Sequence, residues 1–233
     1  MITKITYAGH AAVFLESEDA VIAIDPWLEG NPICPKDLHN PKKLDLILLT
    51  HGHSDHAGDT LRLVKQYKCQ VVAVFELSCL LAKAGLPQDR IIGMGKGGSI
   101  TWRNFKINLT NAIHSSSYTI SGHTEYAGEA CGVIINDGSR TFYHAGDTAL
   151  FSDMKLIREE YSPDIAFLPI GDHFTMGPDS AAKAAQFCGA KTVIPIHYGT
   201  FPALSGRVED FKAACKKLEL TVVVPEIGKT FTI

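Results

Sequence analysis

The chain has 233 residues, 45% hydrophobic and 20% charged, proportions of an ordinary globular protein that exclude a disordered, collagen-like or coiled-coil chain. Lysine plus arginine number 22 against 25 acidic residues, a formal charge of −3, and no basic run exceeds the pairs Lys42-Lys43 and Lys216-Lys217, so polyanion binding through bulk charge is excluded. The six cysteines form no C-x-x-C pair, and a chain this long folds without staples, so reduced thiols in a cytoplasmic protein are expected. Residues 1–7 alternate like a strand rather than a signal peptide, and no apolar run reaches the ~18–20 residues that span a bilayer.

Residues 2–7, 11–16 and 20–25 read as a three-strand meander, the last stopped at Asp25-Pro26 because proline cannot donate to a ladder. Residues 45–50, DLILLT, are almost continuously apolar, as a strand buried on both faces requires, and a helix over 59–67 follows. A strand at 71–75, a helix at 76–84 and a strand pair within 100–110 complete the first half. The second half repeats the scheme: strands 130–135 and 141–143, a helix at 152–160, a buried run at 164–169, a helix at 179–188 and a strand at 192–196. In the last helix Val208, Phe211, Cys215 and Leu218 fall on one face of a 3.6-residue period. No linker rich in Pro, Gly or Ser divides the halves, so 1–233 is expected to be one domain of two sheets with helices outside.

The chemistry begins with His51-Gly52-His53-Ser54-Asp55-His56, three imidazoles and a carboxylate in a loop between the buried strand and a helix. Alternate residues of such a loop can converge on one ion while the Asp-His pair turns toward another, and nitrogen with oxygen donors suits zinc or a similar divalent metal. Further ligand types follow predicted strands: His114, Asp147 in His144-Ala145-Gly146-Asp147-Thr148, and His197.

In this order the residues resemble those of the metallo-β-lactamase superfamily. Tyr7-Ala8-Gly9-His10, Asp25-Pro26-Trp27 and Phe174-Thr175-Met176-Gly177-Pro178 are similar to its compact branch of metal-dependent hydrolases and to the ascorbate-6-phosphate lactonase group. The resemblance implies an α/β (α+β) fold, the αββα four-layer sandwich of two mixed sheets flanked by helices. It implies His51, His53 and His114 on one metal, Asp55, His56 and His197 on a second, and Asp147 between them, hence two divalent ions, zinc first with manganese or iron as alternatives. Two ions ~3.5–4 Å apart lower the pKa of a shared water and polarise the bond it attacks. Asp55 and Asp147 thereby become catalytic candidates as well as ligands. Asp25 is a candidate acceptor that orients a ligand histidine, against a plain turn former before Pro26. His10 falls where the family has a pocket residue and is expected to be a proton donor or a partner of a ligand. His173 departs from the branch, which carries a small or amide residue there; it reads as an extra ligand, a general acid or an ordinary loop residue. His144 reads as a packing residue or a ligand's neighbour, and His39 and His123 as loop residues.

Gly93-Met94-Gly95-Lys96-Gly97-Gly98 matches G-x-G-x-x-G, but a strand pattern follows where a helix is required, so it is read as a turn. Trp27, Phe174, Met176, Tyr198, Phe201, Pro202 and Leu204 follow the metal motifs with Arg207 as the one nearby cation, which predicts a mainly apolar pocket. The expected reaction is hydrolysis of a small-molecule ester, thioester, lactone or amide, with phosphodiester hydrolysis as the alternative. A non-catalytic module is disfavoured because the whole ligand set is present. The expected partner is the small-molecule substrate, with no nucleic acid and no membrane; a homo-oligomer is compatible with the sequence.

Overall fold

A computed structural model describes residues 1–232; Ile233, the last residue of the expected 1–233 domain, lies outside the described residues. The contacts group the chain into two compact units, one built from Met1–Lys96, Ser115–Ala130 and the chain from Glu226 on, the other from Gly97–His114 and Cys131–Pro225. The boundary therefore does not follow the two sequential halves expected from the element pattern. The strand pair of the first half belongs to the second unit, and the C-terminal strand returns to the first.

In the first unit, β1 (Ile2–Gly9), β2 (Ala12–Ser17) and β3 (Val21–Ile24) form the expected antiparallel meander. β4 (Leu46–Leu48), β5 (Gln70–Val74) and β6 (Ile91–Met94) continue the sheet in parallel from β3, and β16 (Thr230–Thr232) pairs with β1. The result is a mixed seven-stranded sheet among the described residues. The apolar run before the histidines is buried throughout Leu46–Leu48, as its composition requires. α1 (Ser54–Ala57) and α2 (Thr60–Tyr67) follow β4, and α3 (Phe75–Lys83) lies between β5 and β6. A separate hairpin, β9 (Ser117–Ile120) and β10 (His123–Tyr126), packs on α3. His123 thus opens a strand and is not a loop residue.

The second unit holds another mixed seven-stranded sheet. β7 (Ser99–Trp102), β8 (Phe105–Asn111), β11 (Cys131–Asn136) and β12 (Thr141–His144) pair antiparallel, and β13 (Ile165–Pro169), β14 (Thr192–Ile196) and β15 (Thr221–Val222) extend it in parallel. The G-x-G-x-x-G match runs directly into β7, as the turn reading expects. α4 (Met154–Tyr161), α5 (Pro178–Cys188) and α6 (Val208–Lys217) cover it. α5 begins with proline in its first turn and ends on Gly189 at φ 70°, whose N–H caps the Ala185 carbonyl. Its buried face is Ala181, Ala182, Ala184, Ala185 and Cys188, small side chains that let the helix approach the sheet closely. On α6, Phe211 and Cys215 of the expected apolar face are fully buried.

Candidate metal centre

β1 and β3 both pair antiparallel with β2, and β4 is parallel to β3, so all three end at one edge of the first sheet. The residues just past those ends are His10, Asp25 and the histidine motif. His10 and Asp25 hold left-handed backbone at φ 56° and 46°, a conformation that costs roughly 1–2 kcal/mol for a side-chain-bearing residue and that gathers at functional sites.

Asp25 is fully buried and accepts the Thr50 N–H at 2.8 Å, the Thr50 hydroxyl at 2.6 Å and the His56 Nδ1–H at 2.8 Å. Because the Thr50 hydrogen is committed to Asp25, its Oγ1 accepts from His51 Nδ1 at 3.0 Å. Both histidines thus carry their proton on Nδ1 and present a lone pair at Nε2, the tautomer a metal ligand needs. His51 Nε2 and His53 Nδ1 converge to 2.9 Å, where one cation can serve both. The donor atoms of His10, Asp55 and His56 lie within 4.8 Å of one another, as do those of Asp25, His51 and His56. This donor set fits a divalent metal: imidazole nitrogens and a carboxylate, buried or half-buried, already oriented through their other ring nitrogen.

His53 is the N-cap of α1, so Asp55 and His56 sit on one turn of helix instead of the open loop expected. Four residues are too few for a helical period to show in the sequence. Gly52 is required by close approach, since a Cβ there would stand 2.7 Å from the Ser117 carbonyl oxygen. Its N–H donates to Ser116 Oγ at 3.1 Å, fixing the motif from the far side. His10 is buried, with Nε2 at 3.0 Å from Asp55 Oδ2 and its ring edge-on to Trp27 and His56. That geometry supports a role as holder of Asp55 over one as an exposed proton donor.

In the second unit β8 and β12 are both antiparallel to β11 and β14 is parallel to β12 through β13, so these three strands also end at one edge. His114, Asp147 and His197 follow them. Asp147 Oδ2 lies 3.1 Å from His197 Nε2 and 3.6 Å from His114 Nε2, two imidazoles on one buried carboxylate. His197 also takes positive φ, 55°, and a Cβ at Gly171 would meet its carbonyl oxygen at 2.1 Å, so only glycine fits beside it. His144 packs against Phe167 and accepts the Gly146 N–H on Nδ1 at 3.2 Å, supporting the turn before Asp147. His173 is exposed, at φ 47° after Asp172 at φ 60°, its ring edge-on to Phe174.

Three residues escaped the sequence reading. Thr50 couples Asp25 to His51, Ser116 holds Gly52, and Thr148 Oγ1 accepts the Ile113 N–H at 3.0 Å, tying the His114 loop to the Asp147 loop. Thr50 and Thr148 sit next to ligand candidates, the only signal available for them. Ser116 carries none.

Residues 20–198 match the family model described as beta-lactamase superfamily domain. A UPF0173 metal-dependent hydrolase of Myxococcus xanthus is 46% identical over 234 residues, covering 98% of this chain and 82% of that protein. A second, from Methanosarcina barkeri, is 40% identical over 233 residues, covering 99% and 98%. Igni18, a metallo hydrolase from the hyperthermophilic archaeon Ignicoccus hospitalis, superposes with a TM-score of 0.90 at 34% identity over 100% and 99% of the two chains. The metallo-β-lactamase fold protein YhfI of Bacillus subtilis, at 18% identity, TM-score 0.74 and full coverage of both chains, shares the fold.

Proposed function

The chain belongs to the metallo-β-lactamase superfamily of metal-dependent hydrolases, and from that premise we propose a dinuclear centre with His51, His53 and His114 as one donor set, Asp55, His56 and His197 as the other, and Asp147 shared. The observation that carries this reading is the preset histidine tautomer: Thr50 and Asp25 take the Nδ1 protons of His51 and His56, leaving Nε2 of each for a metal. Divalent metal, when bound, supplies a water acidic enough to attack at neutral pH and polarises the bond attacked, with zinc, manganese and iron all suited to these donors.

The rest falls to the chain's own groups. Asp25 and Thr50 hold the imidazoles, His10 holds Asp55 by one carboxylate oxygen, and His197 and His114 flank Asp147. We assign substrate hydrolysis to an ester, thioester, lactone or amide of a small molecule. Arg207, the cation nearest the apolar residues Tyr198, Phe201 and Leu204 in sequence, donates from Nε and Nη2 to Asp210 at 3.0 and 3.1 Å, so it is committed and a poor phosphate clamp. That favours acyl substrates over phosphodiesters. Cytoplasmic residence is supported by the six scattered cysteines, which form no C-x-x-C pair; no helix among the described residues is long and apolar enough to cross a membrane.

The test is a substrate panel on metal-loaded protein: p-nitrophenyl acetate, a thioester, a γ-lactone and bis(p-nitrophenyl) phosphate. Acyl turnover at least tenfold above phosphodiester turnover, and lost in Asp147→Ala, is expected. Dominant phosphodiester turnover would overturn the substrate assignment.

A further inference from the structure

The first unit carries a cavity of about 270 Å³ that the metal centre does not use. It opens at the carboxyl ends of the parallel strands β5 and β6, the edge of an α/β sheet where ligands gather. Val74, Phe75 and Glu76 line it from the start of α3, Lys96 from the end of β6, and Tyr126 and Glu129 from the segment after the hairpin. Its volume lies just below the ~300–1,000 Å³ of drug-sized sites, so it suits a small ligand.

The lining is chemically specific. Phe75 and Tyr126 are 63% and 70% exposed, two large aromatic side chains left in water at one cavity. Lys96 is paired with Glu129, so that positive charge is neutralised in place. Glu76 has no ion pair among the described residues, and its carboxylate leans over residue 128: a Cβ there would stand 2.8 Å from Glu76 Oε2, and Gly128 sits at φ 79°. Glycine at 128 thus leaves the carboxylate its place beside the cavity. The N-terminus of α3 would attract an anion, but Glu76 in its first turn already answers that dipole. One net negative charge and two exposed aromatic rings are what an organic ammonium ion recognises, through the carboxylate and through cation–π contact.

Two buried side chains next to the lining pack on the metal motif inside this unit. Leu77, next to Glu76, and Ala127, next to Tyr126, both stand 3.1 Å from the Cβ position of Gly52 in the histidine motif. We propose that this cavity binds a small organic ammonium ion, at a site separate from the metal centre. The site goes beyond the hydrolase reading and rests on the cavity alone.

Calorimetric titration of the metal-loaded protein with phenethylammonium, 2-phenylethanol and 3-phenylpropionate reads binding without turnover. The ammonium probe is expected to bind at least tenfold tighter than the alcohol, the preference to vanish in Glu76→Gln, and affinity for the ammonium to fall in Tyr126→Ala; both side chains are exposed, so thermal melts of the two variants should match the parent. Equal affinity for ammonium and alcohol, a preference that survives Glu76→Gln, tightest binding of the carboxylate, or no saturable binding of any probe would each overturn the amine site.

Discussion

Replacing Asp25 by Asn keeps the side-chain volume and a residue type that tolerates the φ of 46° found there, and removes only the charge. The amide oxygen can still accept the Thr50 N–H, but the NH2 group then faces Thr50 Oγ1 and His56 Nδ1, where the carboxylate took protons. To avoid donor against donor, His56 must move its proton to Nε2, the atom proposed for the metal. Loss of such an orienting partner lowers metal affinity by about 10–100-fold, or about 1.4–2.7 kcal/mol at 1.36 kcal/mol per tenfold. Three hydrogen bonds to a buried carboxylate are also weakened, and at about 1.5–3 kcal/mol each with strong non-additivity the metal-free protein should lose about 2–4 kcal/mol. Competition against a chromogenic chelator measures the first effect and urea unfolding of the stripped protein the second. Metal affinity within twofold of the parent would refute the tautomer argument, whatever happens to stability.

Gly52→Ala should destabilise by about 1–3 kcal/mol through collision with the Ser117 carbonyl, read by urea unfolding; an unchanged midpoint would mean that the motif is not clamped as described. Under native conditions at pH 8, a thiol reagent should label Cys79 quickly and the five buried cysteines slowly, because burial pushes Cys34 up to about 12 and Cys69 up to about 11; rapid labelling of several thiols would contradict the packing. Asp164 is held below the usual carboxylate range: partial burial raises it, but the Thr141 N–H and the Lys191 and Arg140 charges outweigh that. A depressed folded-state pKa stabilises above the unfolded value and is lost as pH falls through the folded one, so Asp164→Asn should cost about 0.5–1 kcal/mol at pH 7 and less as the pH falls, as paired unfolding curves at pH 7 and pH 2.5 will show.

The ligand candidates were legible because metal chemistry restricts residue type so narrowly: three histidines and an aspartate within six positions after an apolar run leave few structural readings. The same run placed β4, and its neighbours followed from period and punctuation. What stayed hidden is set by contacts distant in sequence. Residues 115–130 lie between strands of the second unit yet belong to the first, because Ser116 and Ala127 bind each other and hold Gly52. Nothing local encodes that. The hairpin there is exposed on most positions and lacks an apolar face, although the Ser121-Gly122 turn, both at positive φ, was a usable signal. The positive φ at His10 and His197 was likewise hidden, since histidine, although enriched among non-glycine residues there, only seldom takes left-handed backbone. The Gly-Asp-Thr run was read for its aspartate, while its threonine's grip on Ile113 required the fold.

Metal content per chain, measured by elemental analysis on protein stripped and refilled with zinc or manganese, tests the proposed centre most directly. The account predicts close to two ions per chain in the parent, with both retained less well in Asp147→Ala. A content near zero after refilling, or two ions held equally by Asp147→Ala, would contradict it.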